Sequence, residues 1–454
     1  MSGNTNQHIS EFLSEYLENL LDSLSNAKFI QVIEDCDELK SYNSDEDDNN
    51  KIDVAGDEIS PQNLCLISAF YNIKVSSIEF ISRNMTVDDT YDSLLRLISL
   101  TPLLQESCII RKGDINMIVQ LSKDICLNTN NKGDKLVSRK ILVLLNSYLK
   151  RHKFCLARPI IKADICKLIN SVMRIIYPMV DISSSFGWTK TTLKIMELCQ
   201  MFVQAVKNPS SDKLKQLPGI NTNDQVKIFN ELGVFDIYDL ISLEDERRMD
   251  LLYNKLGLFD ETVNKIAKIC NKFPIIEVEY NLIQVDNDNC DESGSGREVS
   301  NIKRRKTENS VIESTRMFEF NAESEVMIIV NVNRDLDPDE VSNDQITLYD
   351  LEYYPLEEKK VEKWWVVLLE SNNDDNSGFS LKEKKKPQEK VSIQDEGDER
   401  IVGIKITTLS REKNEIALKF SSNTESDKVT NYKLLLICDS YIGCDQEFHF
   451  RIKT

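Results

Sequence analysis

Apolar residues recur with the period of an α-helix as far as Asn271 and alternate with the period of a β-strand from Ile275 onward. The first helical stripe runs from Ile9 to Leu24 through Phe12, Leu13, Tyr16, Leu17, Leu20 and Leu21. Phe29 to Ile33 then reads as a short strand. One helix and one strand cannot bury such faces on each other, so both are expected to dock on something else. From Asp35 to Asp57 the chain is acidic and rich in Asn, the composition of a solvated spacer.

Helical patterns resume at Leu64–Ser82, with Pro61 as the expected helix start. They continue through Asp92–Leu100, Asp114–Ile125, Ser138–Arg151, Lys162–Val180 and Leu193–Val206, with Phe186-Gly187-Trp188 as a turn before the last. Lys162–Val180 is the longest, and Pro178 should bend or fray its end. Amphipathic helices with short connections make a bundle. Beyond it, Pro218-Gly219 signals a turn, Asn221, Thr222 and Asn223 offer N-cap oxygens, and Gly233 stops a short helix. That is a helix-hairpin-helix pattern. Glu244–Arg248 opens another helix and Glu261–Asn271 is the last. Strands are expected at Ile276–Tyr280, Glu325–Val332, Lys363–Leu369, Ile401–Thr408, Glu415–Phe420, Tyr432–Cys438 and Gln446–Ile452. Period-two strands in that number suggest an immunoglobulin-like, fibronectin type III-like sandwich. Polar stretches at 287–314 and 370–399 read as surface loops inserted in it.

Charge and composition narrow the function classes. A net charge of −19 argues against a general nucleic-acid binder, although a local basic face is compatible with it. The eleven cysteines show no CxxC pair and there are only three histidines, so neither a zinc site nor a disulfide framework is expected. No apolar run approaches a membrane span, and the first residues lack a signal core. No phosphate loop, GxSxG, HExxH or kinase signature is present, so no catalytic or cofactor-binding residue is assigned.

The candidate contacts are therefore electrostatic. Lys167 and Arg174 lie seven apart on one face of the long helix and could meet a phosphate backbone, or simply face water. In the hairpin, Gly219 with Lys213 and Lys215 could hold an anion on the backbone N–H groups of the following helix. Asn221 stands where nucleic-acid-binding hairpins usually have a second glycine, and Asp224 adds a negative charge. A structural or protein-docking hairpin is the better expectation. Lys303, Arg304, Arg305 and Lys306 fit a short nuclear-import signal.

Several strings carry a resemblance. Asp439-Ser440-Tyr441 and Gly443-Cys444-Asp445-Gln446-Glu447, Lys363-Trp364-Trp365-Val366-Val367, Leu217-Pro218, Cys270-Asn271-Lys272-Phe273-Pro274, Gly187-Trp188 and Met196-Glu197-Leu198 resemble the Sec-sixty-three homology unit. The likeness covers nearly everything from Leu64 onward except the two insertions. Among bearers of the unit, the chain is most similar to the C-terminal units of the spliceosomal helicases of the U5 small nuclear ribonucleoprotein, which are Ski-two-like superfamily-two enzymes. Residues Ser10–Val32 look like the end of the winged-helix domain that precedes the unit there.

The resemblance implies an α+β multidomain chain: 1–34 the tail of a winged-helix domain, 35–60 a linker, 61–210 a helical bundle, 211–273 a helix-hairpin-helix, and 274–454 the sandwich. It implies a nuclear, non-catalytic interaction and regulatory module in pre-mRNA splicing and snRNP remodelling. Motor motifs would lie upstream. Its partners would be the parent's helicase core and winged-helix domain, and splicing factors. Weak RNA contact through the long helix would be compatible with this, and no membrane is expected. The alternatives are the corresponding unit of a DNA-repair or coactivator helicase, a translocation component of the endoplasmic reticulum, or a stand-alone nucleic-acid binder.

Overall fold

The computed structural model describes residues 3–33, 58–128, 134–153, 158–285, 304–305, 316–320, 325–334, 341–342, 345–348, 354, 360–371, 399–421 and 429–453. The class is α+β, with helices first and sheets after. The expected spacer at 35–57 and most of both insertions, with Lys303 and Lys306, lie outside the described residues.

The N-terminal helix, Gly3–Asn26, leads into β1 (Ile30–Ile33). β1 finds its partner inside the chain, because β2 (Glu58–Pro61) runs antiparallel to it with Ile30 opposite Pro61. Pro61, expected to start a helix, instead closes β2, a position that needs no N–H. The bundle follows as helices Asn63–Phe70, Val75–Asn84, Tyr91–Leu100, Pro102–Ser107, Asp114–Asp124, Leu136–Leu149, Pro159–Ser185 and Thr189–Gln204. The region expected at Leu64–Ser82 is two helices, separated where Asn72 takes a left-handed backbone (φ 49°). The long helix does not end at Pro178. Met179, Val180, Ile182 and Ser183 beyond it are fully buried. That packing outweighs the ~3 kcal/mol an interior proline costs.

The next segment holds a short 3-10 turn at Lys213–Gln216 and helices Asn223–Glu231, Ile237–Ser242, Asp245–Met249 and Asp260–Lys272. Thr222, among the three candidates, is the N-cap of Asn223–Glu231. Its hydroxyl accepts the Gln225 N–H while Gln225 reaches back to the Thr222 N–H.

The remaining strands are β3 (Ile276–Val285), β4 (Arg304–Arg305), β5 (Arg316–Glu319), β6 (Glu325–Arg334), β7 (Val341–Ser342), β8 (Gln345–Leu348), β9 (Lys360–Val361), β10 (Trp364–Ser371), β11 (Glu399–Thr407), β12 (Lys413–Ser421), β13 (Val429–Cys438) and β14 (Gln446–Lys453). They form a five-stranded sheet ordered β11-β10-β13-β14-β5, a four-stranded sheet ordered β12-β6-β3-β4, and a small sheet of β7, β8 and β9. The two larger sheets meet through rings, Tyr280 against Phe448 (5.8 Å) and Phe420 against Tyr432 (5.4 Å). The bundle covers the outer face of the five-stranded sheet. There Tyr177 of the long helix packs on Trp365 at 5.7 Å, and the Thr189 hydroxyl donates to the Glu399 carbonyl at 2.7 Å. This explains the unbroken apolar run Trp364–Leu369. β10 is buried on both faces, so both sets of alternating side chains are apolar.

Candidate functional site

The bundle, the short helices between it and the sheets, and the sheets themselves converge on the loop between β13 and β14, residues 439–445. Its polar groups are spoken for by buried side chains from all three parts. Asp439 is fully buried and accepts from Tyr177 Oη (2.7 Å), Lys360 Nζ (2.5 Å) and the Lys363 N–H (3.0 Å). Burial works against the Lys360 charge, but the Asp439 carboxylate outweighs it and holds the ammonium pKa above its ordinary value. Gln200 Nε2 donates to the Cys438 carbonyl (2.7 Å) and to Asp445 (3.1 Å), and Gln204 Nε2 to the Ser440 carbonyl (2.7 Å). From the 3-10 turn, Gln216 exchanges two bonds with Ile442, at 2.9 and 3.2 Å. Phe273 stacks edge-on against Tyr441 at 5.1 Å. Behind the loop, Arg334 and Glu362 form a buried ion pair, and Trp364 Nε1 donates to Glu362 at 2.7 Å.

A second anchor joins the bundle to the Pro218-Gly219 turn. Arg151 donates to the Gln204 and Ala205 carbonyls, each at 3.0 Å, and to Ile220 O (3.2 Å) and Asn221 Oδ1 (3.1 Å).

The candidate contact residues fall in separate places. Lys167 and Arg174 share the exposed stripe of the long helix, and Arg174 also donates to the Asn72 carbonyl at 3.2 Å. Lys363, which the sequence did not suggest, holds its ammonium 5.0 Å from the centre of the Tyr177 ring, one helical turn from Arg174. Lys215 is paired with Asp212 (3.1 Å) and Asn223 (2.7 Å). The Lys213 stem lies against Gly443, 3.4 Å from where a Cβ would stand. At Gly219 (φ 76°) a Cβ would come within 2.7 Å of Thr262 Cγ2. The turn amides of Asn221 and Thr222 both donate to Gln225 Oε1, at 2.9 and 3.1 Å. Arg304 and Arg305 form β4, with Arg305 opposite Glu277 of β3.

Residues 61–451 match the protein family described as the Sec63 Brl domain. The chain belongs to that family. It is similar to the U5 small nuclear ribonucleoprotein 200 kDa helicase of Homo sapiens, 26% identical over 452 residues, covering 100% of this chain and 16% of that protein. The Drosophila melanogaster protein of the same name is 27% identical, with coverages of 100% and 17%. The activating signal cointegrator 1 complex subunit 3-like protein of Dictyostelium discoideum is 25% identical, with coverages of 98% and 16%. The chain thus spans about a sixth of the length of these relatives.

Several of the strings that resemble the Sec63 Brl family now have a physical account. Asp439-Ser440-Tyr441 and Gly443-Cys444-Asp445 are in the junction loop, and Gln446 opens β14. Trp364 and Trp365 lie on the two faces of the strand beneath it. Phe273-Pro274 follows the last helix and packs beside it, where Tyr238 Oη donates to the Pro274 carbonyl at 2.7 Å. Sequence reasoning missed the partners in this junction. The available signal was Gln200 and Gln204, four apart within an otherwise apolar helical face. Lys360 gave none.

The N-terminal helix differs from the rest. Ile9, Phe12, Leu13, Tyr16 and Leu17 are each at least 50% exposed. Phe29, a few residues on, is fully buried in the main core. Among the described residues no helix is long and apolar enough to cross a membrane, and no group of His, Cys, Asp or Glu side chains could hold a metal ion.

Proposed function

We propose that this Sec63 Brl unit is a non-catalytic interaction and regulatory module of a spliceosomal RNA helicase, acting in the nucleus in pre-mRNA splicing and snRNP remodelling. The observation that carries the reading is the bare apolar stripe from Ile9 to Leu17 beside a fully packed junction. A helix with five large apolar side chains at least half exposed is built to pack on something, and the relatives are about six times longer. In this reading the stripe packs on the parent's winged-helix body, the tail being 1–34. The bundle (61–210), the hairpin as a helix-hairpin-helix (211–273) and an immunoglobulin-like sandwich (274–454) then present surfaces to splicing factors. Lys167 and Arg174 offer the most open phosphate contact. Lys213, Lys215 and Gly219 are better employed in packing. Lys303 to Lys306 would direct import.

The test is affinity purification of the tagged protein from nuclear extract, with sequencing of the RNA that comes with it. Recovery of U5 small nuclear RNA is expected. Recovery of alkylation-repair proteins instead would move the chain to a DNA-repair or coactivator helicase complex, a second reading favoured by the similarity to the cointegrator subunit. Recovery of membrane translocation proteins would refute both. Direct RNA contact is a separate measurement. Its salt dependence should flatten by about two charges when Lys167→Glu and Arg174→Glu are combined.

A further inference from the structure

One ammonium organises the far end of the bundle. Lys140 is fully buried, and its Nζ donates to the Ile109 carbonyl (2.7 Å), Asp114 Oδ2 (2.8 Å) and Asp164 Oδ2 (2.8 Å). Arg111 closes the cluster with a bidentate grip on Asp164 (2.5 and 2.8 Å), and its N–H donates to Asp114 (2.8 Å). Three segments are thereby fixed relative to one another: the loop at Ile109, the start of helix Asp114–Asp124 and the first turns of the long helix. Nothing in the junction or the basic stripe uses this cluster.

What those segments present outward is apolar. Ile109 is 57% exposed, Ile115 59%, Val119 49% and Ile160 65%. Ile115 is next to Asp114 and shares a helix face with Val119, while Ile160 sits one turn before Asp164. All four therefore sit on segments that the cluster ties together. The same segments expose Lys112, Lys123 and Lys167, in a chain whose net charge is −19. Of the exposed acids nearest in sequence, Glu106 is paired with Lys74 and Asp124 lies 3.9 Å from His152.

We propose that this patch is a docking surface for an acidic, amphipathic helix of a protein partner. β-Branched side chains on segments that also expose lysines match an apolar stripe flanked by Asp and Glu. A phosphate backbone would have no use for four aliphatic side chains, and single-stranded bases would call for aromatic rings. Strand addition needs a free sheet edge, and the patch is built of helices and a loop. The buried cluster holds the patch in its binding geometry before the partner arrives, which lowers the ordering cost of association. The proposal does not depend on which helicase is the parent.

The probe is a synthetic peptide of about eighteen residues, with leucines at i, i+4, i+7 and i+11 flanked by glutamates, labelled for fluorescence anisotropy with the full chain. Saturable binding is expected. It should weaken about tenfold or more in Ile109→Ser with Ile160→Ser, and in Lys112→Glu with Lys123→Glu. A peptide with lysine for every glutamate should bind at least about tenfold more weakly. All four side chains are exposed, so circular dichroism and the unfolding midpoint should not change. No saturation by about 1 mM would overturn the proposal, as would an affinity indifferent to the isoleucine variants. An RNA oligomer that competes equally well against the isoleucine variants would assign the surface to nucleic acid. Concentration-dependent dimers lost on Ile160→Ser would assign it to a second copy. Either result refutes the proposal.

Discussion

Gly219→Ala is the sharpest test of why the Pro218-Gly219 turn contains a glycine. Two costs add. A side chain at φ 76° carries the left-handed backbone penalty of about 1 kcal/mol. The new Cβ would stand 2.7 Å from Thr262 Cγ2 on helix Asp260–Lys272. Relieving that overlap costs a further ~1–3 kcal/mol, for a total of about 2–4. Thr262→Ser removes the opposing methyl. In the double variant only the backbone term should remain, so the pair should couple by ~1–3 kcal/mol. A chain of several packed parts is not expected to unfold in one step, so native-state hydrogen exchange of the amides in Asn223–Glu231 is the appropriate assay. A loss below about 0.5 kcal/mol in the single variant, or no rescue by Thr262→Ser, would refute the packing account. If the glycine served close approach of a phosphate, Gly219→Ala would reduce RNA affinity and Thr262→Ser would not restore it.

Lys140→Met leaves Asp114 buried without its cation and Asp164 held by Arg111 alone, and should cost about 3–5 kcal/mol in native-state hydrogen exchange of the amides in Leu136–Leu149; a loss under about 1 would contradict the role given to that cluster. Burial holds the Glu197 carboxyl above its ordinary pKa, with the Tyr91 hydrogen bond only partly offsetting it. A raised carboxyl favours the fold when protonated and loses that advantage as pH rises through its folded value. Glu197→Gln should therefore raise the melting temperature at pH 7 and flatten its fall as pH rises above the ordinary carboxyl value; an unchanged slope would count against this. Glu447 behaves oppositely: the His449 hydrogen bond, opposed by burial and helped by Lys433, holds it down to about 2. Its contribution is present above the unfolded value of about 4.3 and is lost as pH falls through about 2, so His449→Ala should begin acid unfolding at a higher pH. Phe12→Ser with Leu17→Ser should change stability by less than about 0.5 kcal/mol, and amides of Ile9–Leu24 should exchange fast; strong protection there would mean that the stripe already has a partner.

Most elements were legible because burial here follows periodicity. β6 alternates strictly between core and outside, and its expected and observed starts coincide at Glu325. β10 was legible for the opposite reason, an unbroken apolar run buried on both faces. What could not be read were elements defined by tertiary pairing. β2 is four residues with a proline and exists because β1 needs an edge. β5 pairs parallel with β14, Arg316 opposite Phe450, across a long stretch of chain. The long helix ran past Pro178 because local propensity cannot see the packing of Ile182. The junction was recognisable as strings, but not as a mechanism. A buried Lys360 or Asp439 is readable only once each has found the other.

The junction also bears on what the unit can do. Amide side chains from the bundle and the 3-10 turn occupy the carbonyls of one loop in the sheets, and Tyr177, Lys360 and Asp439 tie that loop to the middle of the long helix. Separating any part would strand several buried polar groups, each costing about 1–3 kcal/mol without its partner. Hinge motion within the unit is therefore expensive. The N-terminal helix meets the bundle at its end, where Arg83 donates to the Asn26 carbonyl at 3.5 Å and Phe29 enters the core. Displacing the unit as a block would move the Lys167–Arg174 stripe and the surface around Ile109 together.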